Sequence, residues 1–322
     1  MKLSVAMITY NHSRFIAQAI DSVLAQKVNF DYEIVVGEDN STDGTRDIIL
    51  DFHRRYPNRI VPLLRDRNLG AMRNFKETLT ACRGEYVALL EGDDYWTHDR
   101  KLQTQIDFLD SEKEYAICCA RAELLDETGR ARAKIHPTIP CGSYTVLDLF
   151  ETNWVVTCTA IYRWGAIAAF PDWILSLKMG DWPLHILVAR SGKIRLMDEV
   201  LGVYRLHPAG AWSSLSQAEQ LLATRQMLTV LDEHLHFQYT DQIRRTLARL
   251  DLDLAVIARA GGSGSRAETA ARVLSCLRNG GLRLPGSQRL LAGLGAFALI
   301  GSWYKIFSIS KKVARSDGPP SN

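Results

Sequence analysis

Three carboxylates and a glycine follow directly on an apolar run in Leu89-Leu90-Glu91-Gly92-Asp93-Asp94-Tyr95-Trp96. Residues 85–90 read as a buried strand, which delivers Glu91, Asp93 and Asp94 into a loop at its end. Carboxylates held there are costly unless something cationic meets them. A divalent ion answers that need, because hard cations take oxygen ligands and Mg²⁺ often combines one or two carboxylates with substrate phosphates. The same residues also suit a polar turn that caps the next helix, and taken alone they leave both readings open.

The elements that must position this loop repeat in a regular order. Residues 3–10 form a short apolar run suited to a buried strand, and Phe15, Ile16, Ala19, Ile20, Val23 and Leu24 then recur at helical spacing after Ser13, a suitable N-cap. Strand patterns return at 32–36, 60–64 and 85–90, with helical patterns at 44–56 and 71–82 between them. This βαβαβαβ order predicts an α/β fold with a mostly parallel central sheet and helices on both faces. Ligands of such sheets bind beyond the carboxyl ends of the strands. The polar groups gather at that rim: Thr9, Tyr10, Asn11 and His12 after the first strand, residues 38–45 after the second, Arg67, Asn68, Arg73 and Asn74 after the third, and the acidic loop after the fourth. Turn and helix-start chemistry accounts for residues 41–44, but less well for Glu38 and Asp39 directly after an apolar strand.

With 322 residues the chain can hold one large α/β domain and an accessory segment, and 47% hydrophobic with 23% charged residues is a globular composition. A formal net charge of +3 is too small to imply a nucleic-acid partner. The six cysteines form no C-x-x-C pair, so free thiols in a reducing compartment are expected rather than zinc. The sequence opens on a strand pattern without a signal peptide, and a cytoplasmic protein is expected.

Four blocks in this order resemble family 2 glycosyltransferases of the GT-A, Rossmann-like fold. Leu3-Ser4-Val5-Ala6-Met7-Ile8-Thr9-Tyr10-Asn11 is similar to the family's opening strand, with Ile8 where a proline is usual. Glu38-Asp39-Asn40-Ser41-Thr42-Asp43-Gly44-Thr45 is similar to its acidic nucleotide-binding turn, with Glu38 where aspartate is commoner. Asn68-Leu69-Gly70 with Arg73-Asn74 matches the next block, and Glu91-Gly92-Asp93-Asp94 resembles the D-x-D metal motif with glutamate in first place. The resemblance covers about residues 1–210. It implies that Thr9, Asn11, Glu38 and Asp39 line the uracil and ribose of a nucleotide sugar, with Asn68 and Arg73 near the same nucleotide. Glu91 would stand near the ribose or the metal's outer shell, and Asp93 would bind the Mn²⁺ or Mg²⁺ that bridges the two phosphates.

Further along, Met179-Gly180-Asp181-Trp182-Pro183-Leu184-His185 places a proline in the first turn of a helix expected to run to about Arg190. Asp181 reads either as its N-cap or, because Asp181-Trp182 resembles the family's carboxylate-aromatic pair, as the general base. Tyr204-Arg205-Leu206-His207 resembles the Tyr-Arg-x-His that often closes the catalytic domain, which implies Arg205 at the nucleotide and His207 at the metal or diphosphate. Between these blocks, 115–120 and 157–162 read as strands, 142–152 as a turn and short helix, and 123–134 as a charged, exposed segment.

The expected organisation is a catalytic domain over 1–212, a helical accessory region over 213–284, and a hydrophobic and basic C-terminal segment over 285–322. Within the accessory region, residues from 214, 243–257 and 267–277 read as helical, and 261–265 as a linker. Residues 290–304 carry no charge and precede Lys305, Lys311, Lys312 and Arg315. The run is shorter than the roughly 20 residues of a spanning helix. It suits a helix in the membrane interface on the inner face of the cell membrane, or one packed on the domain or on a second subunit of a homo-oligomer.

The resemblance therefore implies a metal-dependent, inverting transfer of a sugar from a nucleotide-diphospho-sugar, UDP-sugar favoured, to a hydroxyl acceptor, with a lipid-linked glycan in surface-polysaccharide assembly as the expected acceptor. A non-catalytic nucleotide-sugar-binding or assembly subunit is the rival reading. A sugar-1-phosphate nucleotidylyltransferase or a dinucleotide dehydrogenase needs a Gly-rich phosphate loop near the first strand, and residues 8–14 contain no glycine.

Overall fold

The computed structural model describes residues 1–127, 134–166, 170–260 and 266–280. Two compact units are present, Met1–Ser216 and a second beginning at Gln217.

The first unit opens with the alternation expected from the apolar pattern: β1 (Leu3–Thr9), α1 (Ile16–Leu24), β2 (Tyr32–Glu38), α2 (Thr45–Arg55), β3 (Ile60–Leu64), α3 (Ala71–Ala81) and β4 (Tyr86–Leu89). These strands lie in the order β3-β2-β1-β4 and are parallel, so their carboxyl ends share one rim. Thr9 stands opposite Glu38, and Glu38 opposite Leu64. β1, β2 and β4 are buried almost throughout, which is why they read as continuous apolar runs. Helix α1 buries Ile16, Ala19, Ile20 and Val23. Complete burial of each aliphatic side chain larger than alanine contributes about 1.5–3 kcal/mol. Ser13 is not its cap: the helix begins three residues later, after Phe15, and the Ser13 N–H instead donates to Asp43.

The rest of the unit mixes strand directions. It comprises β5 (Tyr95–Trp96), α4 (Lys101–Ser111), β6 (Tyr115–Asp126), β7 (Lys134–His136), β8 (Gly142–Tyr144), α5 (Val146–Leu149), β9 (Ile161–Arg163), α6 (Asp181–Ala189) and β10 (Lys193–Leu206). β9 joins the two halves, antiparallel to both β4 and β6, while β10 runs parallel to β6 and antiparallel to β5 and β8.

Two local expectations need correction. The segment from 123, expected to be charged and exposed, begins as partly buried strand, because β6 continues to Asp126 and pairs with β7. Residues Thr157–Thr159 form a 3-10 turn, leaving only Ile161–Arg163 as strand. The Thr159 hydroxyl takes the place of a ladder partner there, accepting from the Ala120 N–H at 3.1 Å and donating to the Ala120 carbonyl at 2.9 Å.

In the second unit α7 (Gln217–His234), α8 (Thr240–Ala260) and α9 (Arg266–Arg278) occupy the expected helical stretches. Asp251 on α8 is fully buried and receives hydrogen bonds from Arg225 on α7 and Ser275 on α9. The expected linker at 261–265 and the 290–304 run lie outside the described residues. Among the described residues no helix is long and apolar enough to cross a membrane.

Candidate active site

The loop after β1 is held by the acidic turn after β2. Asn11 adopts a left-handed conformation, φ 57°, which asparagine tolerates better than most residues. Its N–H donates to Ser41 Oγ at 3.0 Å, and its side-chain carbonyl accepts the Thr42 N–H at 2.8 Å. Asp43 completes the clasp by accepting the Ser13 N–H at 2.9 Å and the Thr45 hydroxyl at 2.6 Å. Burial pushes the Asp43 carboxyl up, but the hydrogen bonds from Thr45 and Ser13 outweigh it and hold it down at about 2.

Glu38 and Asp39 organise the same rim from within. Glu38 is fully buried; it accepts the Ser41 N–H at 2.6 Å and pairs with Arg46. Asp39 accepts the Leu69 N–H at 2.7 Å and the Gly70 N–H at 2.9 Å, one on each oxygen, and so fixes the loop after β3. Asn68 joins this loop by accepting from the Gly70 N–H at 3.0 Å. Arg73 is half-exposed and paired with Glu77 at 3.3 Å.

The acidic loop after β4 lies beside this rim. Gly92 donates its N–H to the Ile8 carbonyl at 2.9 Å, and a Cβ on it would stand 2.8 Å from both Cβ and Oγ1 of Thr9. Glycine is therefore required for this approach. Thr9 Oγ1 and Glu91 Oε2 are buried without a hydrogen-bond partner. Asp93 Oδ2 lies 3.0 Å from His207 Nε2 and 3.8 Å from His12 Nε2. The ligand atoms of His12, Asp93 and His207 all fall within 4.8 Å of one another.

Behind the loop, Asp94 is buried and accepts the Arg205 N–H at 2.8 Å. The Arg205 guanidinium donates to the Asp93 carbonyl and to Gln18, pairs with Glu127 at 3.3 Å, and lies over the rings of Phe15 and Tyr95. The charged ends of Arg205 and Glu38 both lie on protein partners. Arg46 within reach of one, and two aromatic faces around the other, explain why.

The carboxylates share one electrostatic problem. Burial pushes Glu91 up to about 8, and the charges of Asp93 and Asp181 add to that rise. Asp94 is driven up by burial and then by Asp93 and Glu91. Burial also acts to raise Asp93, but the His207 hydrogen bond and the His12 charge hold it below the usual range. Adjacent carboxylates that cannot all ionise, two imidazoles and an orphaned buried oxygen form a donor set suited to a divalent cation.

Asp181 enters from the other side as the first residue of α6 and makes no side-chain cap. Its Oδ2 accepts from Asn153 Nδ2 at 3.1 Å and Thr157 Oγ1 at 3.0 Å. Gly180 allows the helix start to approach α3, since a Cβ there would lie 2.7 Å from the Phe75 ring. Trp182 anchors the same turn by donating to the Leu149 carbonyl at 2.8 Å. One helical turn on, His185 is fully buried with Nδ1 3.0 Å from the Tyr162 hydroxyl, and burial takes its imidazole down to about 4 against the pull of Asp181.

Sequence reasoning missed His12 as a ligand candidate and Asn153 and Thr157 as supports of Asp181. His12 carried a signal, standing on the same rim as Asp93. Asn153 lies between the patterned segments and carried none, and Thr157 read only as the start of a strand.

The parallel half-sheet with an acidic rim, closed by a mixed half that brings Asp181 and His207 to the same loops, is the GT-A architecture of glycosyltransferases. The chain belongs to glycosyl transferase family 2, whose pattern matches residues 4–170. An uncharacterized protein of Mycobacterium tuberculosis, Rv1520, is 36% identical over 212 residues, which is 66% of this chain and 61% of that protein. The matched part thus falls short of two thirds of that relative's length. Staphylococcus aureus TarS residues 1–349 in complex with UDP-GlcNAc shares the fold with a TM-score of 0.59 at 19% identity, covering 87% of this chain and 88% of that one. The mannosyltransferase PcManGT of Pyrobaculum calidifontis, in complex with GDP-Man and Mn²⁺, does so with a TM-score of 0.54 at 16% identity, covering 92% and 87%.

Proposed function

We propose that this protein transfers a sugar, with inversion, from a nucleotide-diphospho-sugar to an acceptor hydroxyl, with a UDP-sugar as the favoured donor. The observation that carries the reading is Asp181: a carboxylate at a helix start, free of any capping bond, held by Asn153 and Thr157 within the electrostatic reach of Glu91. Asp181 takes the proton of the acceptor hydroxyl. The acceptor oxygen then bonds to the anomeric carbon as the bond from that carbon to the diphosphate oxygen breaks. Thr9, Asn11 and the loop fixed by Asp39 receive the nucleotide, and Arg73 lies free enough to reach it. Asp93 and His207 would hold Mn²⁺ or Mg²⁺, which supplies positive charge for the departing diphosphate when bound. Arg205 and Asp94 keep the Asp93 loop in place from behind. TarS with UDP-GlcNAc and PcManGT with Mn²⁺ are complexes on the same fold that support the reading.

The acceptor fits a lipid-linked glycan, because the uncharged run 290–304 and the basic residues after it suit a membrane surface. Removing the chain from Pro285 onward should reduce sedimentation with anionic vesicles; equal partitioning would refute that part. The central test is a screen of nucleotide sugars for Mn²⁺-dependent hydrolysis. Release of nucleoside diphosphate from one of them is the expected result. Donor binding without any turnover would instead identify a binding or assembly subunit.

A further inference from the structure

We infer that His12 completes a two-imidazole, one-carboxylate cation site with Asp93 and His207. The inference rests on the glycosyl-transfer reading for its purpose, but on this chain's own geometry for its substance.

Ligand atoms about 2.1 Å from a common ion stand roughly 3 Å apart when adjacent and about 4.2 Å apart when opposite. The separations of Asp93 Oδ2 from His207 Nε2 and His12 Nε2, 3.0 and 3.8 Å, fall within that range. The two rings present different faces to the carboxylate, lying 6.1 Å apart between centroids and at 85° to each other. Phe15 packs against the His207 ring at 5.3 Å and limits its movement.

His12 does not reach this place by chance of an open loop. Asn11 in its left-handed conformation turns the chain after β1, and its two hydrogen bonds to the 41–42 backbone and side chain fix that turn on one side. The Asp43 carboxylate fixes Ser13 on the other. The polar run Ser41-Thr42-Asp43 therefore clamps both neighbours of His12. A motif that on sequence grounds reads as turn-forming here positions an imidazole.

Imidazole suits first-row transition ions, while Mg²⁺ favours oxygen donors in near-ideal octahedral geometry and gives up its water reluctantly. Three protein ligands leave the remaining positions available to phosphate oxygens. Mn²⁺, which takes oxygen donors as Mg²⁺ does, serves as the paramagnetic probe of the two nitrogens.

The test uses the full chain with MnCl₂, with and without UDP, read by pulsed electron paramagnetic resonance for ¹⁴N couplings to the bound ion and by titration for affinity. The expected spectrum contains two imidazole nitrogens. His12→Gln should leave one nitrogen and weaken Mn²⁺ by at least about tenfold, the scale on which even outer-sphere partners of a metal matter. A wild-type spectrum with fewer than two nitrogens, or absence of Mn²⁺ binding in both arms, would each overturn the inference. The wild-type spectrum alone counts the imidazoles, so the result stands even where the variant fails to fold. Nucleotide-sugar turnover without two-nitrogen coupling would remove His12 and leave glycosyl transfer intact. Two-nitrogen Mn²⁺ without turnover on any donor would keep the cation site and remove the transfer reading.

Discussion

Replacing Asp181 by asparagine separates chemistry from architecture at one atom. Asp181 has no capping bond to lose, and its Oδ2 accepts only from Asn153 and Thr157. Asparagine keeps an oxygen for those donors and adds an amide where the other carboxylate oxygen stood. The change in folding free energy should stay below about 1 kcal/mol, the scale of one ordinary hydrogen bond. The change in turnover should be far larger, because the amide cannot accept the acceptor's proton. Loss of a general base lowers the rate by about two to four orders of magnitude, and at 1.36 kcal/mol per decade the barrier rises by about 2.7–5.4 kcal/mol. The assay pairs calorimetric donor binding with release of nucleoside diphosphate, and a thermal melt checks the fold. Donor affinity should hold within a few-fold while turnover collapses. A folded Asp181→Asn protein with near-normal turnover would refute the assignment.

Asp93→Asn should abolish most Mn²⁺-dependent turnover and weaken UDP binding, because it removes the carboxylate between two imidazoles; unchanged metal dependence in the turnover assay would argue against it. Gly180→Ala should lower stability by about 1–3 kcal/mol, since its Cβ would meet the Phe75 ring at 2.7 Å; an unaltered melting temperature would show that α3 yields easily. Lys101 is fully buried over the Trp96 ring with no hydrogen-bond partner, and burial takes its ammonium down from the ordinary lysine range to about 7. The unfolded chain then binds more protons than the folded one above about pH 7, so stability rises with pH from there toward the ordinary lysine range. Lys101→Met should therefore be more stable than the parent in urea at pH 6 by an amount on the order of a few kcal/mol, with the gap narrowing at pH 9; a pH-independent gap would count against the neutral lysine.

What could be read from residues alone followed the strength of the local signal. Strands β1, β2 and β4 are buried on both faces, so their apolar runs announced both themselves and the rim where Thr9, Asp39 and Asp93 gather. Pro183 in a first helical turn marked the start of α6 and therefore the place of Asp181. Direction was the harder quantity. Glu38 and Arg205 stand at the expected positions, yet Arg46 draws one inward and the rings of Phe15 and Tyr95 enclose the other. Such partners lie 8 to 190 residues away in sequence, and only the folded chain brings them together. Thr159 shows the same limit, for its hydroxyl replaces a strand ladder that the β-branched pattern 157–162 suggested.

The irregular pairing of β10 with β6 sets the phase of the site. From Ile194, opposite Ile117, to Val203, opposite Glu123, β10 takes nine steps where β6 takes six. Side chains alternate between faces along a strand, so each inserted residue inverts every side chain beyond it. The extra residues, two between Leu196 and Val200 and one between Val200 and Gly202, act together as a phase shifter: they decide that the Arg205 N–H meets Asp94 and that His207 meets Asp93. Deleting one residue there, some 30 Å of extended chain from His207, would turn that imidazole away from the acidic loop while leaving every residue of the site in the sequence.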